Sequence, residues 1–135
     1  MKSVTLTGQV TRFAGTGRRL GYPTANIRSK TNLAEGVYFG IADLAEFSAR
    51  PSLIFVGVPT TVRDSESRVE VHVLDIPDID YYDQPLSVKI MYFHRPNKHF
   101  ESLDELIAAM HADEAAARSW FSKNPLAPAE HPKHT

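Results

Sequence analysis

The chain contains no cysteine among its 135 residues, which removes disulfides, thiolate nucleophiles and thiolate metal sites from consideration. Charge of either sign is scarcely in excess: 15 Lys and Arg against 16 Asp and Glu leave a formal net charge of −1. A broad nucleic-acid surface would need a basic face, so that class of partner is not expected. No apolar run approaches a membrane span, and Met1-Lys2-Ser3-Val4-Thr5 carries no signal-peptide core. A single cytoplasmic domain, away from membranes, is the expectation. The remaining composition, 42% hydrophobic and 23% charged, is that of an ordinary globular protein.

The first two-thirds reads as β-structure. Val4, Leu6, Gly8 and Val10 alternate with Thr5, Thr7 and Gln9, the period of a half-buried strand. Gly36–Ile41 and Ser52–Val56 are short apolar runs, and Leu86–Phe93 forms a further strand. In Arg68–Leu74 the valines Val69, Val71 and Val73 share one face, with Glu70 and His72 on the other. Pro59, Asp64-Ser65, Pro77-Asp78 and Asp83-Gln84-Pro85 punctuate these runs, as expected of an antiparallel barrel or sandwich.

After residue 101 the period changes. Ser102-Leu103-Asp104-Glu105 has the pattern of a capping box, with Ser102 as N-cap and Glu105 reaching back. Leu103, Leu106, Ile107, Met110, Ala117, Trp120 and Phe121 then fall on one helical face, with an end near Ser122. The domain is expected over residues 1–123. Pro125, Pro128 and Pro132 mark residues 124–135 as a frayed tail, in which His131 and His134 are solvated rather than metal ligands.

Gly15-Thr16-Gly17-Arg18-Arg19-Leu20-Gly21 runs directly into Tyr22-Pro23-Thr24-Ala25-Asn26. Glycines let backbone N–H groups approach a phosphate, and arginines add charge-assisted donors. Thr24 and Asn26 offer hard oxygens of the kind Mg²⁺ accepts beside phosphate and water. A glycine-rich hairpin with solvated arginines is the competing reading. Glu70 has two readings as well: a surface charge on a solvated face, or a general base for an alcohol if that face lines a barrel mouth. The spacing does not choose between them. There is no G-x-x-x-x-G-K-[ST], no βαβ dinucleotide fingerprint, no H-E-x-x-H and no G-x-S-x-G. His94 and His99, flanking Arg95, fit structural or surface roles.

Taken together, these segments resemble the riboflavin kinase (flavokinase) family, which in bacteria usually forms the C-terminal module of a bifunctional FAD synthetase. The resemblance spans about Gly8 to Asp113. Gly17–Ile27 follows the family pattern G-R-x-L-G-[FY]-P-T-A-N, and Val69–Asp75 follows V-E-x-H-x-x-D. Gly36-Val37-Tyr38, Phe93-x-Arg95 and Phe100-x-Ser102 agree in order. The resemblance implies a mainly β fold, a six-stranded antiparallel Greek-key barrel with a C-terminal helix. It also implies transfer of the γ-phosphoryl of ATP to the ribityl 5′-hydroxyl of riboflavin, giving FMN and ADP, by a monomer with small-molecule substrates.

By position, Gly15, Gly17, Arg18 and Gly21 would cover the phosphates, with Pro23, Thr24 and Asn26 on the nucleotide and Thr24 and Asn26 on Mg²⁺. Glu70 would take the hydroxyl proton, and Arg95 and Leu106 would frame the flavin. Proton transfer from such an alcohol runs late, so Glu70 needs no strongly shifted pKa. Three departures stand out: Phe13 for a common glycine, Val58-Pro59-Thr60-Thr61-Val62 for x-N-P-T-F, and Tyr82-Asp83 for Tyr-Gly. Asp tolerates left-handed backbone, so the last should matter little. The first two motivate an alternative, a catalytically weak flavin-binding or regulatory module. With no adenylyltransferase module and no H-x-G-H, FAD synthesis is not expected.

Overall fold

The computed structural model describes residues 4–11, 21–57 and 67–125. Six strands form one antiparallel sheet: β1 (Val4–Gln9), β2 (Ala25–Ser29), β3 (Gly36–Leu44), β4 (Phe47–Gly57), β5 (Ser67–Val73) and β6 (Pro85–Arg95), followed by helix α1 (Leu103–Lys123). Their order across the sheet is β1-β6-β3-β4-β5-β2. In it β3, β4 and β5 are consecutive neighbours, and β6 returns beside β3, which is a Greek key. The sheet curls until its two edges meet, where the Thr11 N–H donates to the Asn26 carbonyl at 2.7 Å. That bridge brings the start of β2 against the end of β1 and makes the barrel nearly closed.

The alternating patterns resolve as expected. Val69, Val71 and Val73 point into the barrel with Leu6, Ile27, Ile54, Val56 and Val88. β3 differs, because both of its faces are covered: Tyr38, Ala42 and Leu44 face the barrel interior, while Val37 and Phe39 face the helix. A continuous apolar run is what such a doubly covered strand requires. Phe39 is the centre of the second cluster, with Trp120 at 6.1 Å and Phe121 at 6.3 Å between ring centroids. β2 was not visible as a strand in the sequence, where it read as the end of a glycine-rich loop. Its core-facing Ala25 and Ile27 are too few to set a period on their own.

Helix α1 begins at Ser102, whose Oγ accepts the Glu105 N–H at 3.2 Å. Glu105 does reach back, but to the N–H of Glu101 at 2.9 Å, one residue short of a reciprocal box. The helix ends at Lys123, with the Asn124 N–H on the Trp120 carbonyl. Two sequence expectations fail here. Leu103 lies on solvent, 62% exposed, in a first turn whose residues up to Glu105 are all exposed. The buried stripe is Met110, Asp113 and Ala117, so an acid occupies a position the apolar period assigns to the core. Asp83 adopts φ 68°, the left-handed geometry expected of it at the turn. Phe13, residues 58–62 and residues 126–135 of the tail lie outside the described residues.

At Gly40 the backbone of β6 lies directly against β3. A Cβ added there would lie 2.2 Å from the Lys89 carbonyl oxygen and 3.0 Å from Ile54 Cδ1. The Lys89 carbonyl is backbone and cannot rotate aside, so Gly40→Ala must shift a strand. It should lower unfolding free energy by about 2 kcal/mol or more, read by chemical denaturation; an unchanged midpoint would contradict this packing.

Candidate active site

Pairing of β2 with β5 sets the Asn26 Cα opposite that of Glu70, with Ala25 opposite Val71 and Ile27 opposite Val69. Because side chains alternate, Ala25, Ile27 and the valines enter the core, and Asn26 and Glu70 emerge together on the other face. Thr24 stands just before the strand, and its Oγ1 donates to Asn26 Oδ1 at 3.1 Å. The Pro23 carbonyl accepts a hydrogen bond from His72 Nδ1 at 2.8 Å. A carbonyl can only accept, so Nδ1 carries the proton. Gly21 opens this corner at φ +89°, a left-handed geometry that suits glycine. Gly15, Gly17 and Arg18 lie outside the described residues.

Two clefts meet at Thr24. One, of about 320 Å³, has Thr24 and Asn26 on one wall and Asp75, Ile76, Tyr81 and Tyr82 on the other; Gly21 and Pro23 also border it. The second, of about 270 Å³, is lined by Glu70, Phe55, Arg95, Phe100, Leu106 and Met110 among others. The first offers hydroxyl and amide oxygens beside apolar and phenolic walls. The second offers two phenyl rings and aliphatic side chains around one carboxylate, one guanidinium and the Lys98 ammonium, a lining that suits a flat aromatic ligand.

The sequence left two surroundings open for the face carrying Glu70. It is not a solvated outer wall, since Glu70 is half-buried at the floor of the second cleft. Burial pushes its carboxyl above the ordinary value of 4.5, with the Arg68 guanidinium pulling the other way. The direction of this shift is towards the neutral acid. As to metal, the two oxygens of Thr24 and Asn26 lie 3.1 Å apart. Adjacent ligands of an octahedral Mg²⁺ are separated by roughly 3 Å, so this pair fits one edge of such a shell, with the other positions left to water and phosphate. Among the described residues no group of three or more His, Cys, Asp or Glu forms an alternative metal site.

Arg95 reaches the second cleft because Asp113 holds it. Nε donates to Oδ1 at 2.9 Å and a terminal nitrogen to Oδ2 at 2.7 Å, a bidentate pair. His94 Nε2 stands 3.2 Å from the same carboxylate, its ring stacked 4.7 Å from that of Phe39. His99 is exposed, near Glu101. Both histidines thus have the structural and surface roles expected of them. Sequence reasoning missed Asp113, although an acid three residues after Met110 and four before Ala117 is a signal that a cation must lie opposite. It also missed Phe55 and Phe100 as cleft walls. Asp113→Ala should cost about 3 kcal/mol of stability, because it strands the partly buried Arg95 charge. A loss below about 1 kcal/mol in denaturant titration would mean that the pair is replaceable by water.

Comparison with known proteins places this geometry. The family model described as Flavokinase: Riboflavin kinase matches residues 1–121. Human riboflavin kinase is 30% identical over 113 residues, covering 78% of this chain and 73% of the human protein. The bifunctional riboflavin kinase/FMN adenylyltransferase of Pseudomonas fluorescens is 36% identical over 117 residues, covering 84% of this chain but only 37% of that protein. The solved riboflavin kinase of Trypanosoma brucei superposes with a TM-score of 0.68 at 20% identity, covering 91% of this chain and 83% of its own, which shows a shared fold. A doubly covered barrel strand, paired clefts joined at a Pro-Thr-x-Asn corner and a match over most of the chain lead to one conclusion: this chain belongs to the riboflavin kinase family.

Proposed function

We propose that this protein phosphorylates riboflavin at the expense of ATP, yielding FMN and ADP, with the nucleotide in the cleft beside Thr24 and Asn26 and the flavin in the cleft beside Glu70. The observation that carries the reading is the Asn26–Glu70 pairing across β2 and β5, which sets a phosphate-side amide and a carboxylate side by side where the clefts meet. Phosphoryl transfer asks the protein mainly for alignment and for neutralisation of charge on the transferring group.

Thr24 and Asn26 would hold Mg²⁺, which when bound supplies positive charge to the phosphate oxygens. Gly21 leads into that corner, with Gly15, Gly17 and Arg18 taken as the cover over the phosphates. Glu70 accepts the proton of the ribityl 5′-hydroxyl as its oxygen bonds to the γ-phosphorus and the bond to ADP breaks. A carboxyl moved towards neutrality by burial is a better match for that proton than an ordinary one. Arg95 and Leu106, with Phe55 and Phe100, hold the isoalloxazine. The part of the bifunctional relatives that corresponds to this chain is taken as their kinase module. Two clefts built from one domain support a monomeric enzyme, and its substrates fit a cytoplasmic setting. The alternative of a catalytically weak flavin-binding module is disfavoured, because corner and carboxylate are both in place.

Glu70→Gln should retain riboflavin affinity while kcat falls roughly 10²- to 10⁴-fold, measured as FMN formation with and without Mg²⁺. Parental turnover in that variant would remove Glu70 as the base.

The raised carboxyl has a second consequence. A folded-state pKa above the unfolded value favours the protonated native state, so ionisation of Glu70 costs stability as pH rises through the folded value. Glu70→Gln should therefore be more stable than the parent at pH 7, and the gain should vanish below pH 4.5, where the parent is already protonated. The acid limb of the parent kcat profile should lie above 4.5. Thermal scans and initial rates across this range test both.

A further inference from the structure

The Thr24/Asn26 corner is clamped from a direction that the flavin and nucleotide clefts do not explain. Tyr22 is 5% exposed, and its hydroxyl donates to Glu114 Oε1 on α1 at 2.8 Å. The other Glu114 oxygen accepts Arg118 Nε at 2.9 Å. The two terminal nitrogens of Arg118 donate to the carboxylate of Asp75 at 3.1 and 2.9 Å. All three nitrogens of the guanidinium are thereby used, and only arginine can bridge two carboxylates in this way. Asp75, two residues beyond the end of β5 and on the border of the larger cleft, sits at φ 63°. Left-handed backbone at a non-glycine residue persists where surrounding contacts hold it.

We propose that Tyr22, Glu114, Arg118 and Asp75 form a brace through which helix α1 sets the position of the Thr24/Asn26 corner, with Glu114 and Arg118 acting as positioning residues for the nucleotide half of the reaction. The transmission is short. Tyr22 is followed by Pro23, whose ring fixes its own φ and restricts the backbone of Tyr22, so part of the path from the Tyr22 ring to Thr24 is already set. From the opposite side His72 holds the Pro23 carbonyl, and its ring meets that of Tyr22 edge-on at 5.2 Å. The corner is thus held between β5 and α1.

Stability alone does not account for the arrangement. Arg118 and Asp75 side chains are 46% and 68% exposed, and exposed ion pairs contribute little to folding. Positioning, by contrast, is sensitive, since displacement of a catalytic group by about 1 Å can cost 100-fold in rate.

The proposal rests on the reading that Thr24 and Asn26 hold the metal–nucleotide, so Thr24→Ala is the control. Steady-state kinetics on the full chain with Mg²⁺–ATP and riboflavin, together with thermal scans, decide it. Tyr22→Phe, Glu114→Ala and Arg118→Ala should each raise KM for Mg²⁺–ATP by about tenfold and leave KM for riboflavin and the melting temperature nearly unchanged. Tyr22→Phe combined with Glu114→Ala should be no worse than Glu114→Ala alone, because both remove the same link. Glu114→Gln, which keeps an acceptor for the Tyr22 hydroxyl, should recover part of the loss. Arg118→Lys should not, lacking the fork. Brace variants that leave KM for Mg²⁺–ATP unchanged while Thr24→Ala raises it would overturn the brace alone. Brace variants that raise both KM values equally would overturn it too. A silent Thr24→Ala would overturn the assignment of the corner and the brace with it.

Discussion

The register of β2 against β5 is the constraint on which the site depends. Ala25 and Ile27 are buried against Val71 and Val69, and that burial holds the two strands in one alignment. A slip of β2 by a single residue would turn Asn26 into the barrel and force Ala25 and Ile27 out, burying an amide and exposing core side chains together, while β5 stays held by β4. Core packing thus specifies where the polar chemistry faces, although no core residue takes part in it. The seam adds a second restraint at the same point, since the Thr11–Asn26 bridge closes the barrel at the residue that stands opposite Glu70.

Helix α1 does more than cover the outer face of β3. Its first half contributes Leu106 and Met110 to the cleft that Glu70 lines. Its middle anchors Arg95 through Asp113, and its second half reaches the other side of the site through Glu114 and Arg118. A buried acid on an otherwise apolar stripe is costly unless a cation and its hydrogen bonds offset the lost water. Here one carboxylate serves two basic side chains of β6, so the helix is aligned by polar geometry as well as by the Phe39 cluster.

Much of the fold was legible beforehand, for physical reasons that differ by element. The valine alternation in β5 and the doubly apolar run of β3 are strong signals, since burial on one or two faces leaves a direct mark on composition. The helix declared itself by period and by Ser102. β2 did not, because only Ala25 and Ile27 of its five residues face the core. Leu103 misled because a helical period says which residues align, not how far the partner surface extends beneath them. At the site, Thr24, Asn26 and Glu70 stood out by residue type and by family pattern. Asp113, Tyr22 and Glu114 did not, since their importance lies in what they touch.

The amino-acid order by itself determined the number and kind of most elements, the absence of thiol chemistry and the family to which the chain is matched, because these follow from local periodicity and from residue types at fixed spacing. Only the tertiary structure decided whether Glu70 faces water or a cleft, that its carboxyl is raised by burial, and that a corner near residue 25 meets a strand near residue 70. Those are consequences of strand pairing and curvature across long separations in the chain. Side-chain environment depends on what distant segments bring to the same place, and periodicity carries no record of that.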